Sequence, residues 1–500
     1  MALLDEQIQQ RQANLEALRA LGVDVYPRRF DRTHTVTELV AQFSERTGEV
    51  LDAEKVETVA AGRVLAIRSF GKANFLALSD GLTRIQVYVK KGELPELDFK
   101  IFKLLDFGDH IGVEGHLFRT KTGELTIWAR RLVFLSKCHL PLPEKWHGLQ
   151  DVETRYRQRY LDLIVTPESR RVFEVRTRAV SAVRRFLDAR GYLEVETPVM
   201  QPIAGGAAAR PFVTHHNTLD MDLYLRIAPE LYLKRLVVGG MERVYELSRN
   251  FRNEGVSTQH NPEFTMLEFY QAYADYHELM AMTEALISEV ALEAVGTDEV
   301  TFNGQPISLR APFRRLPLRQ SAAEAASRRL GETISEADLR DAAKVTSIAA
   351  RLGIDLPKDT TAGKGATEIF ERLWEQDLVQ PTFVHDFPTE VSPLSKQRPD
   401  DPDTVERFEL YIGGFEVANA FSELNDPVEQ RRRFEQQLEE KAKGDAEAHA
   451  MDEDYVRALE YGLPPTGGEG IGIDRLVMVL TGSPSIRDVI LFPHMRARNP

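Results

Sequence analysis

Between Ala60 and Leu140 the chain contains five short stretches that are rich in β-branched and aromatic residues. Their sequences are AGRVLAIR, ANFLALSD, TRIQVYVK, DHIGVEGHLFRT and ELTIWARRLVFLSK. Glycine or charged residues separate one stretch from the next, as turns separate strands. Short strands at such regular spacing are typical of a small antiparallel barrel, and this part of the chain is predicted to form one.

The distribution of charge marks the same segment. The chain has a formal net charge of −14, which argues against a protein that coats nucleic acid indiscriminately, because phosphate binding depends on lysine and arginine. Residues 60–140 nevertheless carry 13 Lys/Arg against 8 Asp/Glu, a net charge of +5 that leaves −19 for the rest. A five-stranded barrel with this charge predicts an oligonucleotide-binding (OB) fold, the first candidate for a contact with nucleic acid.

Length and composition describe a globular protein of several domains. The 500 residues are 43% hydrophobic and 28% charged, and no apolar run approaches the ~18 residues that a membrane span needs. The N-terminus lacks the basic start and apolar core of a secretory signal. Cys138 is the only cysteine, which excludes an intramolecular disulfide and a multi-thiolate zinc site. We expect a cytoplasmic protein without a membrane partner.

Four segments are predicted. Residues 1–58 form a helical extension, because leucines recur at near-helical spacing before Gly22. These leucines either pack on a neighbouring domain or contact RNA. Residues 59–140 form the barrel. Residues 141–152, with Pro141 and Pro143, form an extended linker. Residues 153–500 form an α+β domain, because their strands come in hairpin-like pairs more than in regular β-α alternation.

One hairpin of this domain carries a polar loop. In residues 243–273, RVYELSRNFRNEGVSTQHNPEFTMLEFYQAY, two β-prone runs flank a loop that suits an anionic ligand. Strand periodicity places one glutamate of the second run on an apolar face, where a carboxylate is costly unless a cation or donor meets it. The face consists of Phe264, Met266, Glu268 and Tyr270, and the loop contains Arg252, Glu254, His260 and Asn261.

Glutamates occur at comparable positions in two other segments of this domain. In FELYIGGFEVANAFSELND, Gly413 and Gly414 predict a hairpin turn, and period two places Phe415, Val417, Asn419, Phe421 and Glu423 on one face. Glu230 follows Pro229 at a predicted helix start. A lone strand glutamate is usually a solvated edge residue, but the recurrence of acids beside aromatic residues favours a binding site. GGEGIGIDRLVMVL, near the C-terminus, predicts a glycine-rich turn and an apolar helix, with Arg475 between them.

These phrases resemble the three signature motifs of the class II aminoacyl-tRNA synthetases, and the resemblance extends over essentially the whole chain. ARGYLEVETPVM is similar to motif 1, a dimer-forming element in that family. FRNE and the following HNPEF resemble motif 2, and GIGIDR resembles motif 3. The resemblance implies a homodimer with an OB-fold anticodon-binding domain and a class II catalytic domain, an antiparallel sheet flanked by helices.

Longer phrases, among them LYLRIAPELYLKRLVVGG and GGFEVANAFSELND, resemble the bacterial type of the lysine-specific branch. Free lysine carries two ammonium groups and one carboxylate, so its pocket must offer at least two acids and one cation or donor set. The resemblance assigns Glu230 and Gly206 to the α-ammonium, Arg252 and Asn419 to the carboxylate, and Glu268, Tyr270, Phe421 and Glu423 to the surroundings of the ε-ammonium. Three acids and no pocket lysine distinguish this set from the aspartyl and asparaginyl enzymes.

The resemblance also implies the reaction. The carboxylate of lysine attacks the α-phosphate of ATP, pyrophosphate leaves, and the adenylate is attacked by the terminal ribose hydroxyl of a lysine tRNA. Such chemistry needs positioning and charge neutralisation more than a protein nucleophile. In the family pattern Arg252 contacts the α-phosphate and Arg475 contacts the γ-phosphate. ATP is further held by Glu254, His260, Asn261 and Glu409. Mg²⁺ is held by Glu409 and Glu416.

In the barrel, Arg68, Phe75 and Gln86 correspond to family positions that read the anticodon by stacking and by hydrogen bonds to base edges. Phe75 at strand spacing can equally be part of the barrel core. Two other functions stay open at this point. One is a relative that joins lysine to a protein or a lipid, and the other is a catalytically silent RNA-binding protein that kept the fold.

Overall fold

A computed structural model describes residues 2–143, 149, 151–358, 360–442 and 450–497. The chain divides into two compact units, Met1–Arg170 and Arg171–Pro500. Half of the predicted linker at 141–152 lies outside the described residues, so that segment and the four proposed boundaries stay predictions. Among the residues described, no helix is both long enough and apolar enough to cross a membrane.

The first unit contains a closed five-stranded barrel with strand order β1-β2-β3-β5-β4. The barrel confirms the predicted OB fold, although it is not antiparallel throughout as predicted, because β3 and β5 pair in parallel. The strands are β1 (Glu57–Phe70), β2 (Ala73–Ser79), β3 (Arg84–Lys90), β4 (His110–Arg119) and β5 (Leu125–Ser136). The helices are α1 (Ala2–Ala20), α2 (Val36–Phe43), α3 (Gly48–Glu54), α4 (Glu96–Lys103), α5 (Val152–Arg157) and α6 (Arg159–Val165).

The N-terminal extension and the barrel share one hydrophobic core. Leu15 and Leu18 of α1 are buried in the same cluster as Leu76 and Leu78, which alternate along β2 and point into the barrel. Gly22 follows α1 with a φ of 74°, as expected for a glycine that ends a helix. The packing interpretation of the α1 leucines is therefore confirmed for Leu15 and Leu18, whereas Leu4 is exposed.

The second unit is an α+β domain built on an eight-stranded sheet with order β14-β15-β16-β17-β18-β11-β10-β6. The sheet strands are β6 (Leu193–Glu194), β10 (Arg243–Phe251), β11 (Glu263–Ala272), β14 (Arg314–Pro317), β15 (Thr382–Pro388), β16 (Thr404–Ile412), β17 (Phe415–Ser422) and β18 (Thr466–Gly472). Smaller sheets contain β7 (Met200–Gln201), β8 (Val213–His216), β9 (Met221–Leu225), β12 (Glu299–Phe302) and β13 (Gln305–Ser308). Neighbouring strands are antiparallel except at β14·β15 and β10·β6.

Helices cover this sheet. They are α7 (Pro167–Asp188), α8 (Glu230–Val238), α9 (Tyr276–Val295), α10 (Leu318–Leu330), α11 (Ala342–Leu352), α12 (Ala362–Trp374), α13 (Pro427–Ala442), α14 (Glu453–Glu460), α15 (Ile473–Thr481) and α16 (Ile486–Val489). Short 3₁₀ helices lie at Asp338–Arg340, Glu375–Asp377 and Thr389–Val391. The main core lies between α7, α9, α15 and the sheet. The alanine-rich 321–351 region packs as helices α10 and α11 in a separate cluster.

One local prediction is wrong. The segment before Ile473 is a strand, β18, and not a glycine-rich turn. Glycine has a low intrinsic preference for strands, but β18 lies between β11 and β17 and pairs with both. These backbone hydrogen bonds come from residues far away in the chain, so the local sequence gives no sign of them.

Candidate active site

A cavity of about 400 Å³ lies over the middle of the large sheet. Most of the residues that the sequence singled out for the catalytic domain line it, although they come from seven separate elements and loops. The lining includes Gly206, Glu230, Arg252, Glu254, His260, Asn261, Glu268, Tyr270, Glu409, Glu416, Asn419, Phe421 and Arg475. Glu423 is not a lining residue, and it lies buried behind the wall with a side chain that is 0% exposed.

Strand β11 forms one wall of the cavity, and its predicted alternation is confirmed. Phe264, Met266, Glu268 and Tyr270 all line the cavity. Their partners across the sheet in β18 are glycines, with Met266 opposite Gly472, Glu268 opposite Gly470 and Tyr270 opposite Gly468. The glycines have no side chains to fill the space above them, so β18 forms the open floor of the cavity.

Gly468 illustrates why a side chain cannot be tolerated in this floor. A Cβ atom there would lie 2.1 Å from Oε1 of Glu423 and 2.4 Å from Cε1 of Tyr270. We expect Gly468→Ala to displace both groups and to raise the apparent KM for the cavity's amino-acid ligand at least about tenfold. Gly48→Ala is the matched control, because its nearest atom would be 3.6 Å away. A normal KM in Gly468→Ala would show that these two side chains do not contact the ligand.

The opposite wall comes from the β16–β17 hairpin, whose predicted turn is confirmed. Gly413 and Gly414 connect the strands with φ angles of 69° and 84°, a conformation that glycine adopts readily. The register shifts between Leu410 and Tyr411, so that Tyr411 pairs with Glu416 and Leu410 with Ala418. This β-bulge changes the alternation of side chains along β17.

The bulge corrects one predicted face. Phe415 packs against Phe302 in the main core, with ring centroids 5.5 Å apart, and does not line the cavity. Glu416 lines the cavity instead, together with Asn419 and Phe421. A one-residue bulge is not visible in a period-two pattern, and this is why the sequence placed Phe415 on the wrong side.

Arg252 is a cation that makes no side-chain hydrogen bond or ion pair with the residues that the structure describes. Its side chain is half-buried and stacks over Phe264, with 5.1 Å between the guanidinium carbon and the ring centroid. The Nε atom is buried and has no hydrogen-bond partner in the described part of the chain. Burial lowers the pKa of Arg252, although Glu254 and Glu416 oppose this effect. An unpaired buried guanidinium in a cavity wall is well suited to an anion.

The second arginine lies beside His260. Nη1 of Arg475 donates to the carbonyl oxygen of Glu416 at 2.6 Å, and Nη2 lies 3.1 Å from Nε2 of His260. Burial and the two nearby arginines lower the pKa of His260, so its imidazole is neutral near pH 7. The neighbouring Asp474 has a structural role, since it accepts hydrogen bonds from the Thr265 amide at 2.7 Å and from Arg176 at 2.5 Å.

Glu409 and Glu416 fit an oxygen-ligated cation. Burial raises the pKa of Glu409, and the nearby Glu416 raises it further. A divalent cation between them would relieve this repulsion, and Mg²⁺ commonly takes only one or two carboxylates together with substrate phosphates. Within the described residues no group of three or more His, Cys, Asp or Glu is arranged around a metal position.

Sequence reasoning missed Arg407, which also lines the cavity. Its Nη2 donates to Oε1 of Glu409 at 2.6 Å, and its Nε donates to Oδ1 of Asn419 at 3.1 Å. Arg407 therefore orients two of the predicted site residues. Arg407 lies two residues before Glu409 on the same strand, so strand periodicity puts both side chains on one face and could have identified Arg407 as a site residue.

The other end of the cavity is acidic. Glu230, Glu268 and Glu423 are each less than 10% exposed. Burial raises the pKa of all three carboxyls, and that of Glu268 rises to about 8, with Glu230 as the second cause. Tyr270 donates to Oε2 of Glu268 at 3.2 Å. Oε1 of Glu423 has no hydrogen-bond partner among the described residues.

The prediction that no lysine belongs to this pocket is wrong. Lys234 of α8 is fully buried, and its Nζ lies 2.5 Å from Oε1 of Glu230 and forms an ion pair with Oε2 of Glu423. The sequence phrase ELYLK shows the i,i+4 spacing of Glu230 and Lys234, but Glu423 is brought to Lys234 only by the tertiary fold. The absence of a pocket lysine cannot separate this site from those of related enzymes.

On the barrel, Phe75 lies on the outer face. Its ring is half-buried, whereas Leu76 and Leu78 fill the interior, so the barrel-core interpretation does not hold. Phe75 begins a surface cluster in which its ring centroid is 5.2 Å from that of Tyr88, and Tyr88 is 4.8 Å from Trp128. Arg68 is exposed opposite Phe75 on β1. Gln86 donates to Glu124 at 2.8 Å, so a base would compete with that bond.

An antiparallel sheet whose cavity combines a motif-2 arginine, a motif-3 arginine and a carboxylate pair, in a chain that also has an OB barrel, defines a class II aminoacyl-tRNA synthetase. The family model described as tRNA synthetases class II (D, K and N) matches residues 151–496, and that of the OB-fold nucleic acid binding domain matches residues 58–135. The chain belongs to this family of class II tRNA synthetases and is an ATP-dependent ligase.

Curated relatives match over nearly the full length. The chain is 54% identical to the lysine–tRNA ligase of Carboxydothermus hydrogenoformans over 496 residues, which cover 99% of each chain. It is 50% identical to the lysine–tRNA ligase of Bacillus subtilis over 495 residues, 99% of this chain and 98% of the relative. A third relative, the lysine–tRNA ligase of Thioalkalivibrio sulfidiphilus, is 52% identical over 489 residues.

Proposed function

We propose that this protein activates lysine with ATP and transfers it to the 3′ end of a lysine tRNA for translation. The observation that carries the proposal is a set of three buried acids, Glu230, Glu268 and Glu423, beside a cavity that is also lined by Arg252, whose buried Nε atom has no hydrogen-bond partner among the described residues. Lysine has two ammonium groups and one carboxylate, so its charges complement this arrangement. Buried charges are tolerated only when they are paired.

In the first step, a carboxylate oxygen of lysine attacks the α-phosphorus of ATP. A new O–P bond forms, the bond to the bridging oxygen breaks, and pyrophosphate leaves with the electron pair. In this proposal Arg252 contacts both the lysine carboxylate and the α-phosphate, where negative charge increases in the transition state. In the second step, the ribose hydroxyl of the tRNA attacks the acyl carbon and AMP leaves.

The amino-acid roles follow from the two ends of the cavity. Glu230 and the loop at Gly206 receive the α-ammonium, and Asn419 joins Arg252 at the carboxylate. Gly206 has a φ of 90°, and a Cβ atom there would lie 3.0 Å from Cβ of Glu230. Glu268, Tyr270, Phe421 and Glu423 surround the ε-ammonium.

The nucleotide occupies the other end. Arg475 contacts the γ-phosphate, and Glu254, His260, Asn261 and Glu409 seat the rest of ATP. Oδ1 of Asn261 is buried and unpaired in the described part of the chain, so it is available to a donor on the nucleotide. Glu409 and Glu416 are the residues that would hold Mg²⁺, which neutralises phosphate charge when it is bound.

The barrel binds the anticodon in this proposal. Unstacked bases of an RNA loop stack readily on exposed aromatic rings, and Phe75 and Tyr88 offer such rings on a segment with net positive charge. Arg68 and Gln86 supply donors and acceptors beside them.

We expect Phe75→Ala to weaken tRNA charging and to leave amino-acid activation intact. The loss of one stacked base contact should raise the KM for tRNA about 5- to 100-fold. Aminoacylation of tRNA and tRNA-independent ATP–pyrophosphate exchange should be compared in the same preparation. A parallel loss of exchange would show that Phe75 has a structural role.

The first test of the function is amino-acid-dependent ATP–pyrophosphate exchange with the purified protein and Mg²⁺, without tRNA. Lysine, ornithine, aspartate and asparagine are tested separately. We expect exchange with lysine. Exchange with aspartate would contradict the pocket assignment, and no exchange with any of them would favour a silent RNA-binding protein.

We also propose that the chain forms a homodimer in the cytoplasm. Apolar side chains are exposed on β6, β8 and the neighbouring turn, where Leu193 is 55%, Val213 60% and Leu219 62% exposed. Leu193 belongs to the segment ARGYLEVETPVM, which resembles the dimer-forming motif 1 of the family. Sedimentation equilibrium should give about twice the 56.7 kDa mass of the chain, and a monomer would contradict the proposal.

A further inference from the structure

Lys234 has no role in the reaction described above, although it lies at the centre of the acidic end. It is on α8, one turn after Glu230, and its side chain is 0% exposed. Its ammonium forms ion pairs with both Glu230 and Glu423. These two acids are the ones assigned to the opposite ammonium groups of the substrate, and they come from elements far apart in the chain.

The surroundings of Lys234 keep its ammonium in place. The Nζ atom is 5.2 Å from the ring centroid of Phe421 and 6.0 Å from that of Tyr455. Burial alone would lower the pKa of Lys234, but Glu230 and Glu423 outweigh this effect and raise it. Lys234 is therefore a charged, fully buried group that contacts both aromatic rings and two of the three acids at this part of the cavity.

Lys234 also adjusts the charge of the pocket. Burial raises the pKa of the three acids, that of Glu268 to about 8, so Glu268 is largely protonated at neutral pH in the empty pocket. Lys234 forms ion pairs with the other two acids and lowers the pKa of both. Without Lys234, burial would favour the neutral forms of Glu230 and Glu423, which attract an ammonium group less strongly.

We propose that Lys234 is a positioning residue for the amino acid, which fixes Glu230 and Glu423 at the separation that the two ammonium groups of lysine require. This inference rests on the proposed function. A shorter diamino acid such as ornithine cannot reach both acids when they are fixed in this way, and it leaves one of them unpaired. Loss of one methylene in an apolar pocket gives only about 10- to 200-fold discrimination. The carboxylate that ornithine leaves unpaired adds to this discrimination between lysine and ornithine.

The sharpest test compares Lys234→Met, which removes the charge at similar length, with Lys234→Arg, which keeps it. ATP–pyrophosphate exchange is measured with lysine and with ornithine. In Lys234→Met we expect the KM for lysine to rise about tenfold or more, the KM for ATP to change less than about threefold, and the lysine-to-ornithine ratio of kcat/KM to fall about tenfold. Lys234→Arg should recover part of the KM for lysine.

The pH profile separates positioning from general structural support. Lys234 lowers the pKa of Glu230 and Glu423. In Lys234→Met these two acids should therefore become protonated at a higher pH than in the wild type. The KM for lysine should start to rise at a higher pH in this variant than in the wild type. The other titratable or charged groups that face the two acids are Glu268, Tyr270, Arg407 and Tyr455.

Lys344→Met is the matched control, because Lys344 is exposed on α11 and pairs only with Asp338 among the described residues. If Lys234→Met has the selectivity and pH profile of the wild type, or loses affinity for lysine and ATP equally, the inference is wrong. If the wild type itself shows no lysine-dependent exchange, the proposed function has failed instead. If Lys234→Met does not fold, Lys234→Arg tests the spacing of the two acids instead, because its guanidinium is larger than an ammonium group, and a lysine-to-ornithine ratio of kcat/KM equal to that of the wild type would overturn the inference.

Discussion

Glu423→Gln should raise the apparent KM for lysine by about 30-fold to several thousand-fold, because removal of one partner from a buried charge pair costs about 2 to 5 kcal/mol. Glu423 is buried, and its free Oε1 atom faces the glycine floor at Gly468. The neutral amide has nearly the same shape, so the change removes charge and little else. The nucleotide end of the cavity is formed by other residues, so the KM for ATP should change much less.

ATP–pyrophosphate exchange at varied lysine and at varied ATP measures the two constants separately. Glu332→Gln is the matched control, since Glu332 pairs with Arg351 at the surface, outside the cavity. Equal increases in both constants in Glu423→Gln would mean that this residue supports the whole cavity and does not contact the lysine side chain.

Arg252→Lys should lower kcat for exchange by about 10²- to 10³-fold, the loss that follows removal of one donor to a developing negative charge. Lysine keeps the positive charge, but its ammonium cannot form the planar, bidentate contacts of a guanidinium. It also cannot stack over Phe264 as Arg252 does. We expect a smaller change in the KM for ATP than in kcat, because the contact is strongest in the transition state.

Single-turnover formation of the adenylate isolates this step from tRNA transfer. Arg310→Lys, at an exposed residue that pairs with Asp298, controls for a general effect of the exchange. An unchanged rate of adenylate formation in Arg252→Lys would refute the role of Arg252 at the α-phosphate.

The site tolerates several buried charged side chains because these charges are distributed over both ends of the cavity. Burial raises the pKa of Glu230, Glu268 and Glu423, which is unfavourable for charged acids. Lys234 compensates part of that cost before any ligand binds. The two ammonium groups of the substrate would compensate the rest. The burial that destabilises the empty pocket therefore also makes the pocket selective for a ligand with two ammonium groups.

Local sequence pattern determined much of this protein. The alternation in β11 placed Met266, Glu268 and Tyr270 on one face, and the paired glycines 413 and 414 marked the turn between β16 and β17. The five β-prone runs predicted the closed barrel. These features depend on residues within a few positions of one another, since strand periodicity and turn preference are properties of short segments.

Other features were decided only by the tertiary structure. Strand β18 exists because β11 and β17 pair with its glycine-rich backbone from both sides. The bulge in β17 turned Glu416 into the cavity in place of Phe415. Lys234 and Glu423 meet although they are far apart in sequence. Strand partners, register shifts and buried ion pairs depend on which distant segments come together, and a pattern within one segment contains no information about its neighbours in space.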